Sequence, residues 1–209
     1  MAQHGMLVVW TDVDRSEEAT FERWYEREHL SERVGHPGWL WARRYRADSG
    51  PRPYIALYLT DSPAALASPV YQAALANPTP LSRTMTAAMR DMLRVIGTVT
   101  IDLGAGLAGN IMALRLQPGP RRSELRTRLA SETLPELLAH DGVVAARLVE
   151  ADPERSVPLG APAGTPPFDD WILLVEATSP AVLAALEPRL RHVVRVIEPV
   201  GSFRFLSAR

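Results

Sequence analysis

The sequence contains no cysteine, no basic stripe and no long uninterrupted apolar segment. Without cysteine there are no disulfides, thiolate nucleophiles or cysteine-ligated metals. The formal net charge is −1, so the chain has no excess of positive charge with which to bind a nucleic acid. No apolar segment has the length of a membrane helix. The N-terminus lacks a basic region followed by an apolar run. We therefore expect a cytoplasmic protein with neither a nucleic-acid nor a membrane partner.

Composition fits a compact protein with a substantial core. The chain has 209 residues, of which 46% are hydrophobic and 22% charged, and this suits one or two domains. Arginine replaces lysine throughout, and alanine and proline are abundant. That bias is typical of a GC-rich bacterial gene and carries no mechanistic information.

Two parts of the sequence resemble each other. Residues 35–43 match residues 139–147 at an offset of 104, with His, Gly, Ala and Arg coinciding. Residues 54–64 match residues 171–181 at an offset of 117, and the change in offset predicts a longer, proline-rich loop over residues 153–167. Self-similarity of this kind indicates a duplicated structural unit. We predict one repeat over residues 1–104, carrying the candidate pocket, and a second over residues 105–209, serving as scaffold.

Each repeat predicts the order strand, helix, strand, strand, helix, strand, which is the ferredoxin-like βαββαβ unit. The strands are apolar at nearly every position, as in residues 7–10 and 172–175. Continuous apolar runs imply that both faces of each sheet are covered, by helices on one side and by the other repeat on the second. The predicted fold is α+β, with two tandem repeats packed sheet to sheet as a pseudo-dimeric α/β barrel. Two independent domains joined by a flexible linker are the alternative.

One segment carries a family resemblance. FERWYEREHL at residues 21–30, PGW at residues 37–39 and ARRY at residues 42–45 resemble the dimeric α/β-barrel superfamily, and its EthD-like branch in particular. The resemblance implies a barrel that normally forms between two subunits and would here form within one chain. It also implies that His29 faces the barrel pocket. The superfamily includes monooxygenases, isomerases, cyclases, dehydratases and haem proteins, so the fold alone does not name a reaction.

The first helix supplies the candidate catalytic residues. Phe21, Trp24, Tyr25, Glu28 and His29 have the spacing of one helical face. His29 is the candidate general acid/base, because imidazole titrates near neutrality, and Glu28 or Tyr25 would orient it. A histidine that only stabilises a helix end is the alternative. The matching residue of the second repeat is a threonine, so a second active pocket is not expected.

Aromatic strand residues supply the candidate binding surface: Trp10, Trp39, Trp41 and Tyr58, with the cation Arg43. Strand alternation places Trp39, Trp41, Arg43 and Tyr45 on one face. Facing the barrel, they would form an aromatic pocket with one cation for a planar apolar ligand that bears an oxygen or carboxylate. Facing the helices, they would only fill a core. Arg43 and its counterpart Arg147 would each fix a carboxylate or a strand end.

These residues predict a cofactor-independent enzyme of the isomerase, cyclase, lyase or monooxygenase type, acting on a small hydrophobic or aromatic metabolite. The alternatives are a non-catalytic ligand-binding or structural protein, and a haem-binding relative that uses His29, His140 or His192 as axial ligand. His29 and Glu32 have the spacing of a weak metal pair without further ligands, so no metal is expected. A duplicated chain should be a monomeric pseudo-dimer or a homodimer through surfaces other than the sheets.

Overall fold

A computed structural model of the chain describes residues 3–48, 50–157, 164–165 and 168–209, and most of the predicted proline-rich loop lies outside these residues. The described residues contain eight strands and seven α-helices. The strands are β1 (Gly5–Val13), β2 (Trp39–Arg46), β3 (Tyr54–Thr60), β4 (Met89–Gly104), β5 (Asn110–Leu116), β6 (Val143–Ala151), β7 (Trp171–Ala177) and β8 (Val196–Ala208). The helices are α1 (Glu18–Trp24), α2 (Leu30–Val34), α3 (Pro69–Ala76), α4 (Pro80–Ala88), α5 (Arg122–Arg128), α6 (Leu134–Leu138) and α7 (Pro180–Val193).

Two helical regions contain a wide, π-helical turn, and two short segments are 3₁₀-helical. The π turns are Tyr25–His29, between α1 and α2, and Leu129–Thr133, between α5 and α6. The 3₁₀ segments are Arg15–Glu17 and Pro63–Ala67. The two π turns are separated by the same offset of 104 residues that relates the sequence segments.

The strands of the described residues close into one antiparallel barrel in the order β1-β3-β2-β8-β5-β7-β6-β4. The first half of the chain contributes the run β4-β1-β3-β2 and the second half the equivalent run β8-β5-β7-β6. The halves join along two seams, where β2 pairs with β8 and β4 pairs with β6. The predicted α+β fold with an α/β barrel is thus confirmed, and the barrel lies within a single chain.

Closure explains why the strands are apolar on both faces. Every residue of β3 and of β7 is buried. One face of each strand points into the barrel, where a core built almost entirely from strand side chains of both halves includes Trp10 and Phe203. The other face packs against the helices of its own half. Gly201 is required inside the barrel, because a Cβ there would lie 2.2 Å from the Phe203 ring.

The helix-to-strand turns of the two halves share their geometry. Gly38 and Gly142 both adopt positive φ, at 83° and 87°, which favours glycine. Their carbonyl oxygens accept hydrogen bonds of 2.8 Å from the backbone N–H groups of Asp61 and Thr178. Among the described residues, none of the helices combines the length and the apolar character that crossing a bilayer requires.

Candidate functional site

His29 lies at the end of the first π turn. The π turn widens the helix by one residue, so the simple 3.6-residue spacing no longer applies beyond Tyr25. Tyr25 and His29 turn inward, towards the outer face of the first half of the barrel, whereas Glu28 turns away from them. Such turns are frequent at functional sites because they re-aim side chains within a helix.

A cavity of about 50 Å³ lies between these helices and the sheet. It has room for only a few water molecules, at about 10–15 Å³ each. Its polar lining consists of tyrosine, histidine and arginine side chains, together with Thr86. A second pocket of about 410 Å³ lies outside it, between α3, α4 and the first helical region, and shares His29, Arg33 and Trp24 with the inner cavity. His29 and Arg33 therefore stand between the two spaces. The main polar residues of the inner cavity are Tyr25, His29, Arg33, Tyr58, Tyr71 and Arg94.

Aromatic rings enclose the His29 imidazole. Its ring centroid lies 4.1 Å from that of Trp24, 5.2 Å from that of Tyr25 and 6.2 Å from that of Tyr58. Its Nδ1 atom has no hydrogen-bond partner among the described residues, and a Glu32 carboxylate oxygen lies 3.9 Å away, beyond hydrogen-bond range. The imidazole is therefore held by packing, with a ring nitrogen free to accept.

Burial lowers the pKa of His29 well below 6.5, and the nearby guanidinium groups of Arg33 and Arg44 lower it further. His29 is thus a neutral base at neutral pH. Burial has the opposite effect on the phenols, because it disfavours their ionised form. It raises the pKa of Tyr58 well above 10, with neighbouring Tyr25 adding to the effect, and it raises the pKa of Tyr25. Both phenols therefore stay protonated and can donate hydrogen bonds.

Two buried arginines flank the imidazole and differ in the partners of their guanidinium groups. Arg44 is 1% exposed, pairs with the Glu22 carboxylate and stacks on the ring of Tyr25 at 4.3 Å. Arg33 is 7% exposed, and its Nη1 atom has no hydrogen-bond partner among the described residues. Its nearest carboxylate oxygen, from Glu32, is 3.9 Å away. Arg33 is therefore a buried cation without a close counterion.

Glu28 does not contact His29, contrary to its predicted orienting role. Its Oε1 atom accepts hydrogen bonds from Thr79 Oγ1 at 2.6 Å and Ser82 Oγ at 3.1 Å. Thr79 caps α4, and Ser82 in turn accepts a hydrogen bond of 3.0 Å from Trp24 Nε1. Glu28 thus connects the start of α4 to the first helical region through hydrogen bonds. Adjacent side chains of a helix point in different directions, and this is the physical reason that Glu28 and His29 diverge.

The predicted binding residues divide between two faces of the sheet. A β-bulge at Leu40 interrupts the pairing of β2 with β3 between Trp39 and Trp41. The prediction that Trp39 and Trp41 share a face is therefore wrong, because the extra residue reverses the alternation. Trp39 joins the helix-facing core with Tyr58, 5.6 Å away between ring centroids. Trp41 packs against the core inside the barrel instead.

Trp10 and Arg43 also lie on the barrel side, away from His29. Trp10 packs edge-on against Phe203 in the barrel core. The Arg43 guanidinium stacks on Trp41 at 4.1 Å and donates to Glu176 at 3.2 Å. The structure thus brings Tyr25, His29, Trp39 and Tyr58 together and leaves Trp10, Trp41 and Arg43 in a separate environment.

Sequence reasoning missed the carboxylate that Arg43 binds. Glu176 is 1% exposed and accepts from Arg43 and, at 2.6 Å, from Arg147, while its second oxygen accepts from the backbone N–H of Ala108. Arg147 also pairs with Asp102 at 2.8 Å. The repeated arginines therefore do fix a carboxylate, and it is one carboxylate shared by both halves. Glu176 is the lone charge in the otherwise apolar strand β7, and this was the available signal.

The remaining histidines lie outside the cavity. His140 Nε2 accepts a hydrogen bond from Arg189, and His192 contacts the carbonyl of Pro188, both at exposed positions. Neither provides an enclosed axial ligand for haem. The inner cavity beside His29, of about 50 Å³, is too small to enclose a tetrapyrrole. No group of three or more potential metal ligands occurs within the described ranges of the chain.

Comparisons with known proteins agree on the architecture. No protein-family model and no curated protein matches the chain. Solved structures do match: an anthrone oxidase-like protein has a TM-score of 0.68 at 10% identity, covering 100% of this chain and 93% of the other. A haem-binding protein from Thermus thermophilus has a TM-score of 0.59 at 10% identity, covering 99% and 92%. A monooxygenase-like protein from Listeria innocua has a TM-score of 0.54 at 7% identity, covering 98% and 95%.

Such low identity establishes the fold alone. The chain has the α/β-barrel architecture of these proteins over nearly its whole length. The EthD-like branch stays a prediction.

Proposed function

We propose that the protein is a cofactor-independent enzyme that transfers a proton on a small aromatic or otherwise planar metabolite, with His29 as the base. The observation that carries the proposal is a neutral, buried imidazole between an inner cavity and an outer pocket, with a free Nδ1 atom and three aromatic rings around it. Names of structural neighbours, among them a monooxygenase-like protein and an anthrone oxidase-like protein, are compatible with chemistry on such ligands.

The chemical step needs no partner beyond the substrate. A ring nitrogen of His29 takes a proton from a carbon next to a carbonyl group, and the C–H electron pair moves into the carbon–carbon bond as the carbonyl becomes an enolate. The Tyr58 hydroxyl, which is protonated and has no partner among the described residues, donates a hydrogen bond to the enolate oxygen. Return of a proton to the same or another carbon completes an exchange or an isomerisation. Trp24 and Tyr25 provide the apolar walls.

Arg33 and Arg44 support this role by their charge. Both disfavour a proton on His29, so the base stays free at neutral pH. The same positive field favours the enolate, in which negative charge develops as the proton leaves. The cationic surroundings thus favour the enolate, while they disfavour the imidazolium that forms on His29 in the same step.

The experiment follows deuterium incorporation into aryl ketones and 2-oxo acids in D2O by NMR. We expect the wild-type protein to accelerate exchange of the C–H next to the carbonyl with at least one such probe, and His29→Ala to lose the acceleration by about 10²-fold or more. His140→Ala is the matched control, because His140 is exposed and remote from the cavity. Acceleration that survives in His29→Ala, or none for any probe, would contradict the proposal.

A non-catalytic binding protein is the second candidate, and the same cavity supports it. In that case ligands bind without exchange, and His29→Ala changes affinity alone.

We further propose that residues 1–104 and 105–209 descend from one duplicated unit, with the functional pocket in the first. Matching element order, π turns at one offset and equivalent glycine turns support this proposal. Because both barrel seams lie within the chain, the sheets have no free edge for a second copy. Sedimentation should give a monomer or a dimer through other surfaces, and a dimer built through the sheets would contradict it.

A further inference from the structure

We propose that a small planar organic acid binds in the outer pocket of about 410 Å³, with its carboxylate paired to Arg33 at the boundary with the inner cavity. The inference rests on the proposed function, since it names the class of molecule that the His29 site would take.

The first observation is the state of Arg33. Its side chain is more than nine-tenths buried, and its Nη1 atom lacks a hydrogen-bond partner among the described residues. The one carboxylate nearby, Glu32, lies at 3.9 Å and is itself partly exposed. A guanidinium is always charged and carries five N–H donors in a rigid fork that matches a carboxylate. A buried fork without a hydrogen-bonded counterion is therefore well suited to an anionic ligand.

The second observation is the charge of the surrounding lining. Neither the inner cavity nor the outer pocket has an aspartate or glutamate among its described lining residues, whereas Arg33, Arg83 and Arg94 all contribute. Arg94 is already engaged, because it donates to the carbonyls of Arg155 and Val157 and to the Tyr71 hydroxyl. Arg83 lies at the exposed rim. Arg33 is therefore the cation of this lining that is both buried and available.

The third observation is the placement of Arg33 relative to the base. Arg33 follows His29 by four residues, so both side chains leave the same side of the helical region, and both line the inner and the outer space. A carboxylate on Arg33 would bring the adjacent carbon skeleton against His29, which lines both spaces. The ring of Tyr71, over which the Arg33 guanidinium lies at 5.3 Å, provides a flat wall beside it. These contacts fit a planar acid better than an uncharged ligand.

Benzoate and benzamide test the inference, since they have nearly the same shape and differ in charge at pH 7.5. Binding to the wild-type protein is measured by isothermal titration calorimetry. We expect benzoate to bind at least about tenfold more tightly than benzamide, as a charge-assisted pair requires. In Arg33→Gln this preference should disappear, whereas Arg83→Gln should keep it. Arg33→Met, of similar length and without charge, repeats the test if the first variant folds poorly.

The outcomes separate this inference from the proposed function. Equal binding of both probes to the wild-type protein, or a benzoate preference that persists in Arg33→Gln, overturns the role of Arg33 and leaves the role of His29 standing. Binding of neither probe, together with exchange that depends on His29, overturns this inference alone. Binding of neither probe, without such exchange, overturns both.

Discussion

The two halves of the barrel share their order of elements but differ in how helices meet the sheet. In the second half, this interface is an apolar, mostly aliphatic core, with Leu173 and Val175 of β7 fully buried against Leu183 and Leu186 of α7. In the first half, the corresponding core contains aromatic rings, three buried arginines and a cavity beside His29. One architecture therefore supports both a tightly packed scaffold and a polar pocket.

Breaks in helical structure account for much of the difference. Between its third and fourth strands the second half has one helix, α7, whereas the first half has α3 and α4 with residues 77–79 between them. Proline at the start of each helix and at residue 78 fixes this interruption, since it cannot donate to a helical ladder. The outer pocket opens between α3 and α4. The outer pocket thus lies where the helical cover of the first half is interrupted.

The largest effect is expected from matched leucine truncations in the two interfaces. Leu173→Ala removes a fully buried side chain from the core of the second half and should lower the free energy of unfolding by about 2–5 kcal/mol. Leu75→Ala removes a side chain that already lines the cavity, so it creates little new empty space. It should lower the free energy of unfolding by less than about 1.5 kcal/mol. Urea unfolding of both variants measures the difference. Equal losses would mean that the first interface is as tightly packed as the second.

The sequence predicted the barrel, the strands of its first half and the break near residue 78, because these depend on apolar runs and on proline. It did not predict where side chains point. The bulge at Leu40 shifts the register of β2 by one residue, and one residue is enough to send Trp41 away from the predicted site. Such shifts depend on packing across the chain, which local spacing does not encode. Arg33 was missed because its buried state becomes visible only with the cavity.

The second prediction concerns the pH dependence of the free energy of unfolding. We attribute part of it to His29, since the second half has no histidine at the matching position. The pKa of folded His29 lies well below the unfolded value of 6.5, so the unfolded chain binds a proton that the folded chain does not. The contribution to stability is complete above pH 6.5 and declines as the pH falls towards the folded pKa, by about 1.4 kcal/mol per pH unit. The guanidinium groups of Arg33 and Arg44 strengthen this effect, because they lower the pKa of His29 further.

Urea unfolding between pH 7.5 and 5.5 tests the prediction. His29→Gln should flatten most of the dependence, because glutamine does not titrate. His36→Gln is the comparison: the pKa of His36 is also lowered by burial, with Glu32 partly offsetting Arg33, so this variant should remove a smaller part of the slope. A slope in His29→Gln equal to that of the wild-type protein would show that His29 is not the titrating group.

The smallest effect is expected from removing a single hydroxyl group. Tyr58 is fully buried and its hydroxyl has no hydrogen-bond partner among the described residues, whereas the second half has an apolar valine, Val175, at the matching position. Tyr58→Phe keeps the ring and removes the unsatisfied oxygen, so it should raise the free energy of unfolding by about 1 kcal/mol. Tyr54→Phe is the matched control: the Tyr54 hydroxyl donates to Glu18 at 2.5 Å, and its loss should lower the free energy of unfolding by about 1 kcal/mol.

If the Tyr58 hydroxyl binds the ligand, its removal should both stabilise the protein and slow deuterium exchange. Such a trade-off between stability and activity is common at functional sites. Equal destabilisation by both variants would place Tyr58 among ordinary core residues and would remove the polar character that sets the first half apart.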